Sequence, residues 1–365
     1  MRDKLNVGII GATGMVGQRF IMLLHNHPWF NISLLAASAR SAGKPYGEVV
    51  ENRWAFETPI PSNVKDMIIV DAQNIDEIEK NVDFIFCAVD MKKDEIKALE
   101  EAYAKAEIPV VSNNSANRLV DDIPMLIPEV NYEHAKIIEQ QKKRLGTKRG
   151  FIAVKPNCSI QSYVPALFPL MEYEPYLVSV CTYQAISGAG KTFETWPEMV
   201  DNVIPYIGGE DEKSEIEPLK IFGKIVEENG TEKIKSCEDI KFSAQCVRVA
   251  SADGHLAAVS VKFRKKPTKE AILKAWKGLE SKAVQLGLPS APDPFLTYFE
   301  EDNRPQVRLD RDLHNGMGIS MGRLREDNIF DYKFICLSHN TLRGAAGGGV
   351  LMAEYLVKEG YITKK

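Results

Sequence analysis

The segment Leu5-Asn6-Val7-Gly8-Ile9-Ile10 is a short apolar run that stops at Gly11-Ala12-Thr13-Gly14-Met15-Val16-Gly17, after which Phe20, Leu23 and Leu24 recur at helical spacing. This predicts strand, glycine turn and helix in that order. Ile32 to Ala37 predicts a second strand, Met67 to Val70 a third and Phe84 to Ala88 a fourth; Pro109 to Ser112 follows beyond a helix over residues 93–106. Short, continuously apolar strands alternating with helices indicate a parallel sheet covered on both faces. An α/β doubly wound domain is therefore expected over residues 1–155.

The pattern changes after a basic loop at 142–150. Gln245-Cys246-Val247-Arg248-Val249 and Ala257 to Phe263 alternate between apolar and polar positions, which predicts a mainly antiparallel sheet with one solvated or interfacial face. This second, α+β domain is expected over residues 156–342. Arg343-Gly344-Ala345-Ala346-Gly347-Gly348-Gly349 then opens an amphipathic helix through Val350, Leu351, Met352, Tyr355, Leu356 and Val357, expected to complete the first domain as segment 343–365. Neither an internal repeat nor a low-complexity tract is visible.

Composition narrows the function classes. With 365 residues, 44% hydrophobic and 26% charged, the chain has material for two soluble cored domains. No run approaches the ~20 apolar residues of a membrane span, and Met1-Arg2-Asp3-Lys4 leads into a strand instead of a signal-peptide core; a cytoplasmic location is expected. The six cysteines (87, 158, 181, 237, 246, 336) are scattered without a CxxC pair, which argues against a disulfide framework and against a metal site. A net charge of −4 gives no ground for nucleic-acid binding. Lys142-Lys143-Arg144 with Lys148-Arg149 is the one basic run, and it reads as a solvated loop between the two domains.

Candidate chemistry begins at the glycine turn. Gly11, Gly14 and Gly17 let the backbone approach a pyrophosphate at a helix N-terminus, although the spacing departs from G-x-G-x-x-G. No acidic residue ends the second strand. Ala37-Ser38-Ala39-Arg40-Ser41-Ala42-Gly43-Lys44 instead offers hydroxyls, a guanidinium and an ammonium, which favours NADP over NAD because a 2′-phosphate needs such donors.

Pro156-Asn157-Cys158-Ser159-Ile160 ends a strand and opens an apolar helical segment. A thiolate there is expected to be favoured by the helix macrodipole, against the alternative that Cys158 is a small buried apolar residue. His255 follows Asp253-Gly254 and precedes a strand, seven residues after Arg248. A hairpin could bring a general base and an anion-binding guanidinium to one end of the sheet; taken alone, His255 reads more readily as a turn residue.

Taken in order, these motifs resemble the aspartate-semialdehyde dehydrogenase family. They comprise Gly11 to Gly17, Ser112-Asn113-Asn114-Ser115 with Arg118, Pro156-Asn157-Cys158-Ser159, Tyr183 to Gly190, Ile204 to Lys213, and Arg248-Val249 before Gly254-His255. The resemblance covers essentially the whole chain and leans to the archaeal and fungal branch. It implies a Rossmann-type NADP-binding domain followed by a catalytic and dimerisation domain. Cys158 would be the acyl-forming nucleophile, His255 the acid/base, and Gln184 a positioner of the acyl group. Arg248 would bind the substrate carboxylate, Glu210 its ammonium, Arg118 and Lys213 the departing phosphate, with Asn157 also in the substrate set. Gly11, Thr13, Gly14, Met15, Val16, Ser38, Arg40, Ser41, Ser187, Gly188 and Asn340 would contact NADP, Asn340 standing where other branches carry a different amide.

The resemblance further implies reduction of L-aspartyl 4-phosphate through a Cys158 thioester, in the biosynthesis of lysine, threonine and methionine, by a homodimer or homotetramer. Three competing readings share the fold. N-acetyl-glutamyl-phosphate reductase expects a Gly-Cys-Tyr context that is absent at Cys158; a malonyl-CoA reductase is separated by substrate kinetics rather than by motif. A catalytically silent NADP-binding regulator is opposed by the intact set of Cys158, His255, Arg248, Glu210 and Lys213.

Overall fold

The computed structural model describes residues 4–365; Met1, Arg2 and Asp3, from which a leaderless start was read, lie outside the described residues. Six parallel strands form the first sheet: β1 (Leu5–Ile10), β2 (Phe30–Ala37), β3 (Val70–Asp71), β4 (Phe84–Cys87), β5 (Val110–Ser112) and β6 (Ile152–Val154), in the order β3-β2-β1-β4-β5-β6. The order reverses at β1, where doubly wound sheets open a crevice at the strands' C-terminal ends. All four residues of β4 are fully buried, as expected for a central strand covered on both faces. Phe20, on the helix Met15–Leu24, stacks on Phe86 at 4.5 Å and closes one of those faces.

The third strand is shorter than its apolar run. Ile68 and Ile69 do not pair with β2: Ile69 donates its N–H to the Lys44 carbonyl at 3.0 Å, and Tyr46 donates to the Met67 carbonyl at 2.8 Å. The returning chain at 43–46 thus takes the hydrogen bonds that a longer strand would have used. The basic run also falls elsewhere than between two domains. Lys142, Lys143 and Arg144 occupy the last turn of the helix Ile138–Leu145, and β6 of the first sheet still follows. The amides of Lys148, Arg149 and Gly150 converge on the Glu107 carboxylate.

The second sheet has seven strands: β7 (Pro175–Gln184), β8 (Val203–Ile204), β11 (Lys241–Val249), β12 (His255–Phe263), β13 (Leu296–Phe299), β14 (Ile319–Glu326) and β15 (Tyr332–Ser338). Between β8 and β11 lies a separate hairpin of β9 (Lys224–Glu228) and β10 (Thr231–Lys235). The sheet order is β13-β14-β15-β12-β7-β11-β8, with antiparallel pairing except at β13/β14 and β7/β11. β11 and β12 are therefore not a hairpin. β7 lies between them, and the connection at 250–254 passes over its end.

The helix Gly347–Lys358 returns to the first sheet, where Val350, Leu351, Met352, Ala353 and Leu356 join a core with Phe20, Ile21, Leu24 and Phe86. Buried polar pairs fix it. Glu354 accepts from His27 Nε2 at 2.8 Å and from the Ser290 amide at 3.0 Å. Arg343, 1% exposed, makes a two-pronged contact with Glu129 at 2.8 and 2.6 Å, the geometry in which a buried guanidinium and carboxylate satisfy one another.

Candidate active site

Three neighbouring strands bring their ends to one place. Gln184 at the end of β7 is in register with Arg248 on β11, and Leu256 of β12 is opposite Tyr183, so His255 stands level with Gln184. Side chains alternate across a sheet, and Gln184, Arg248 and His255 fall on its buried face, at 1%, 6% and 1% exposure. Arg248 and His255 thus share a sheet end through β7 and not through a hairpin.

The first sheet supplies the thiol from the opposite side. β6 ends at Val154, and Cys158 caps the 3-10 turn Ser159–Gln161 that leads into the helix Tyr163–Leu167, its Sγ lying 3.5 Å from His255 Nε2. Burial pushes the Cys158 thiol up, with the Glu210 carboxylate adding to the rise and Lys155, Arg118 and Arg248 opposing it. The helical segment opened at Cys158 continues through Tyr163–Leu167 to Tyr173, as the sequence implied, but desolvation outweighs its macrodipole at the buried thiol. The expected thiolate is thus replaced by a thiol in the resting site. Burial beside Arg248 likewise lowers His255 to about 3, so its imidazole is neutral.

The ring's proton can be assigned from its neighbours. The Ala185 amide donates to His255 Nδ1 at 3.1 Å, so Nδ1 is the bare nitrogen and Nε2 carries the hydrogen. In this geometry His255 directs a donor toward sulfur. The Ala185 carbonyl in turn accepts from Arg248 Nη1 at 2.7 Å, so the backbone of one residue orients both side chains. Gly188 makes the fit possible, because a Cβ there would lie 3.0 Å from Arg248 Nη1 and 3.2 Å from His255 Nε2.

The helix Glu210–Ile221 packs charged residues into this cleft at helical spacing. Glu210 accepts from Asn157 Nδ2 at 3.0 Å, Lys213 Nζ at 2.8 Å and Gln184 Nε2 at 3.1 Å. Two turns further along, Glu217 accepts from Arg118 Nη1 at 2.9 Å and from the Asn157 amide at 2.6 Å. Glu217 was missed in the sequence, although its place seven residues beyond Glu210 puts it on the same helical stripe. Glu100, fully buried, was missed as well. It gathers Ser112 Oγ, Asn114 Nδ2 and Asn117 Nδ2 and shapes the turn that carries Arg118. No sequence signal marks it, since it sits in an ordinary run of helical charges.

A cavity of about 480 Å³ at the C-terminal end of the first sheet is lined by Gly11, Thr13, Gly14, Ser38 and Arg40. A dinucleotide fits the residues around it. Gly11 has φ +85° and a Cβ there would strike the Ala88 carbonyl at 2.2 Å, while nothing nearer than 3.6 Å faces Gly14. Gly14 caps the helix Met15–Leu24 without a side-chain bond, leaving its first N–H groups for an anion. Asp71, at the end of β3, also lines this cavity, an acid that inspection of β2 alone could not reveal. Ser41 is 9% exposed and lies off the cavity lining, as does Val16. Met15 and Ser187 border a smaller space of about 140 Å³ with Arg19 and Thr341. Asn340 is 2% exposed and engages both ends of its amide, accepting from the Gly254 amide at 2.7 Å and donating to Ser187 Oγ at 2.8 Å. It braces the Ser187 loop against the turn before His255.

Among the described residues no group of His, Cys, Asp and Glu side chains is arranged to hold a metal ion, and no helix is long and apolar enough to cross a membrane.

A doubly wound sheet with an open glycine turn, facing a thiol and an imidazole across one cleft, defines a thiol-dependent dehydrogenase. Residues 6–138 match the semialdehyde dehydrogenase NAD binding domain and residues 167–343 the semialdehyde dehydrogenase dimerisation domain. The chain is 44% identical to aspartate-semialdehyde dehydrogenase of Archaeoglobus fulgidus, over 98% of this chain and 99% of that one. It is 41% identical to the Saccharomyces cerevisiae enzyme, over 99% and 100%. The crystal structure of the Candida albicans enzyme with NADP superposes with a TM-score of 0.87 at 37% identity, covering 99% of this chain and all of that one. The chain belongs to the aspartate-semialdehyde dehydrogenase family.

Proposed function

We propose that the chain reduces L-aspartyl 4-phosphate to L-aspartate 4-semialdehyde with NADPH, through a thioester on Cys158. The observation that carries this reading is the 3.5 Å approach of Cys158 Sγ to His255 Nε2, inside a ring that presents both cations and a carboxylate. An acyl phosphate of a zwitterionic amino acid has two anionic ends and one ammonium. Arg248 suits the carboxylate, Glu210 the ammonium, and Arg118 with Lys213 the phosphate. Gly11, Thr13, Gly14, Met15, Ser38 and Arg40 form the cofactor face, with Ser187 and Gly188 at its reactive end. We divide the chain accordingly, residues 1–155 with 343–365 holding the cofactor and 156–342 the substrate.

Cys158, as its thiolate, attacks the acyl carbon, and the bond to phosphate breaks as phosphate departs toward Arg118 and Lys213. NADPH, when bound, supplies the hydride that reduces the thioester. His255 then has its Nε2–H directed at the region where the resulting oxyanion forms, and it stabilises that oxyanion by a hydrogen bond until the carbon–sulfur bond breaks and the Cys158 thiolate leaves. Gln184, tied to Glu210, holds the acyl group beside the sulfur.

The test is spectrophotometric, run in the oxidative direction: NADP reduction with aspartate semialdehyde should require phosphate or arsenate. Turnover that proceeds equally without either anion would refute acyl-phosphate chemistry. The matched dimerisation domain supports a self-associating chain, and we infer a homodimer.

A further inference from the structure

Three residues before the nucleophile stands a charge that the proposed chemistry does not use. Lys155 follows β6, is 2% exposed, and has no carboxylate within ion-pairing distance among the described residues. Its Nζ donates to the Pro156 carbonyl, inside the Pro156-Asn157-Cys158 turn. Lys220 is a useful contrast. Also buried, it gives its ammonium three carbonyl acceptors, those of Arg118, Val120 and Ile123 at 2.6–2.8 Å. An ammonium has three hydrogens to place, and Lys155 has one protein acceptor for them.

The amine also shares its packing surface with the thiol. A Cβ on Gly344 would lie 2.7 Å from Cys158 Cβ, and a Cβ on Gly348 would lie 3.4 Å from Lys155 Cδ. Both side chains therefore rest against bare glycines of the one glycine-rich segment. The charged groups facing Lys155 from the surrounding elements are Arg118, Glu217 and Arg343, with Cys158 on its own turn and His255 beyond it.

We propose that Lys155 is a positioning residue for the nucleophile, which clamps the Pro156–Cys158 turn through its carbonyl bond and, when it carries a proton, stabilises the Cys158 thiolate. The inference rests on Cys158 as the reacting thiol. His255, already carrying its hydrogen on Nε2 and facing the Ala185 amide with Nδ1, is poorly placed to accept the thiol proton. Lys155 Nζ is bonded to the Pro156 carbonyl and Cys158 Sγ faces His255, so the amine acts on the sulfur through its charge; S⁻ with NH₃⁺ carries the same net charge as SH with NH₂. Burial lowers Lys155 to about 7, so the amine takes up and loses its proton at neutral pH.

Two interacting groups titrate as a pair, which gives this arrangement a signature that packing alone cannot produce. The rate at which iodoacetamide labels Cys158 in the wild-type enzyme, followed on its own peptide by mass spectrometry, should rise to a shoulder with a midpoint near pH 7. It should rise again as the thiol ionises beside a neutral amine. Lys155→Met should show only the second rise, labelling at least about tenfold more slowly at pH 7, which corresponds to one pKa unit of lost stabilisation. NADP affinity should stay within a few fold, and n-propylamine should restore part of the labelling rate in Lys155→Ala. A single ionisation in the wild type, with no step near 7, overturns the proposal and needs no variant that folds. So does a Lys155→Met profile that overlies the wild type. Because labelling involves no substrate, failure here is distinct from failure of the proposed reaction.

Discussion

Glu210 distributes its two oxygens over three donors, and the donor that a substrate ammonium would replace is Lys213 Nζ at 2.8 Å. Replacement frees Lys213 for an anion, so the two ends of the substrate should bind cooperatively. The KM for phosphate should be about tenfold lower with aspartate semialdehyde than with its deamino analogue succinate semialdehyde, about the worth of one charge-assisted contact. In Glu210→Gln, where Lys213 is no longer held, the two values should converge. Equal phosphate KM values in the wild type would show that the pair does not open. His255 gives a second test at this scale. Its pKa of about 3 lies below its ordinary value, so the unfolded chain takes up a proton as pH falls through about 6.5 while the folded chain does not until about 3. The stability it contributes is complete above that window and is lost as the pH descends through it. His255→Gln should flatten the fall in Tm between about pH 6.5 and 4, and a parallel curve would mean that the ring is protonated in the folded enzyme.

The segment Leu342–Ala346 winds as a π-type turn that sets Gly344 against the nucleophile. A methyl group at Gly344 would meet Cys158 Cβ at 2.7 Å, a contact that only backbone movement can relieve. Overpacking of this kind costs about 1–3 kcal/mol, and here it is applied at the reacting atom. Gly344→Ala should therefore lose kcat by about a hundredfold or more, while Gly146→Ala, at an open left-handed cap with nothing within 4 Å, should cost stability only. Wild-type turnover in Gly344→Ala would mean that the turn shifts freely. The glycines were visible in the sequence, but their bearing on Cys158 was not. Elements set by local pattern were legible: β1, its glycine turn and helix, β2, β4, and the C-terminal helix. Relations set by partners were not. The Met67–Val70 run lost most of its strand because residues 43–46 claimed its hydrogen bonds, and β11 and β12 read as a hairpin because nothing local records that β7 lies between them. The candidate site followed the same rule. Cys158, His255 and Arg248 stood out by chemistry and motif, whereas Lys155, Glu217 and Glu100 became visible only when burial showed charges in a core.

At the scale of the molecule, the seven-stranded sheet has one face against the core and one that this chain leaves half-bare. Along its middle strands, Leu177, Ser179, Cys181 and Tyr183 of β7 and Leu256, Ala258 and Ser260 of β12 point to that outer face, with Tyr183 39% exposed. Toward the β8 edge, Val203 and Tyr206 are exposed by 58% and 71%. A continuous apolar sheet face is unusual on a monomer, and a two-fold pair would bury it twice with the same residues. The matched dimerisation domain spans these strands. Ala258, at the middle of β12 and opposite Cys181, is where a charge would be least tolerated. Ala258→Arg should sediment as a single chain where the proposed wild-type homodimer should sediment as two. The consequence should reach the chemistry, because β7 and β12 end in Gln184 and His255, whose alignment depends on the two strands keeping their pitch. NADP binding belongs to the other sheet and should survive. The expected result is therefore a folded monomer with near-normal NADP affinity and reduced kcat; a variant that still sediments as two chains would place the interface on another surface.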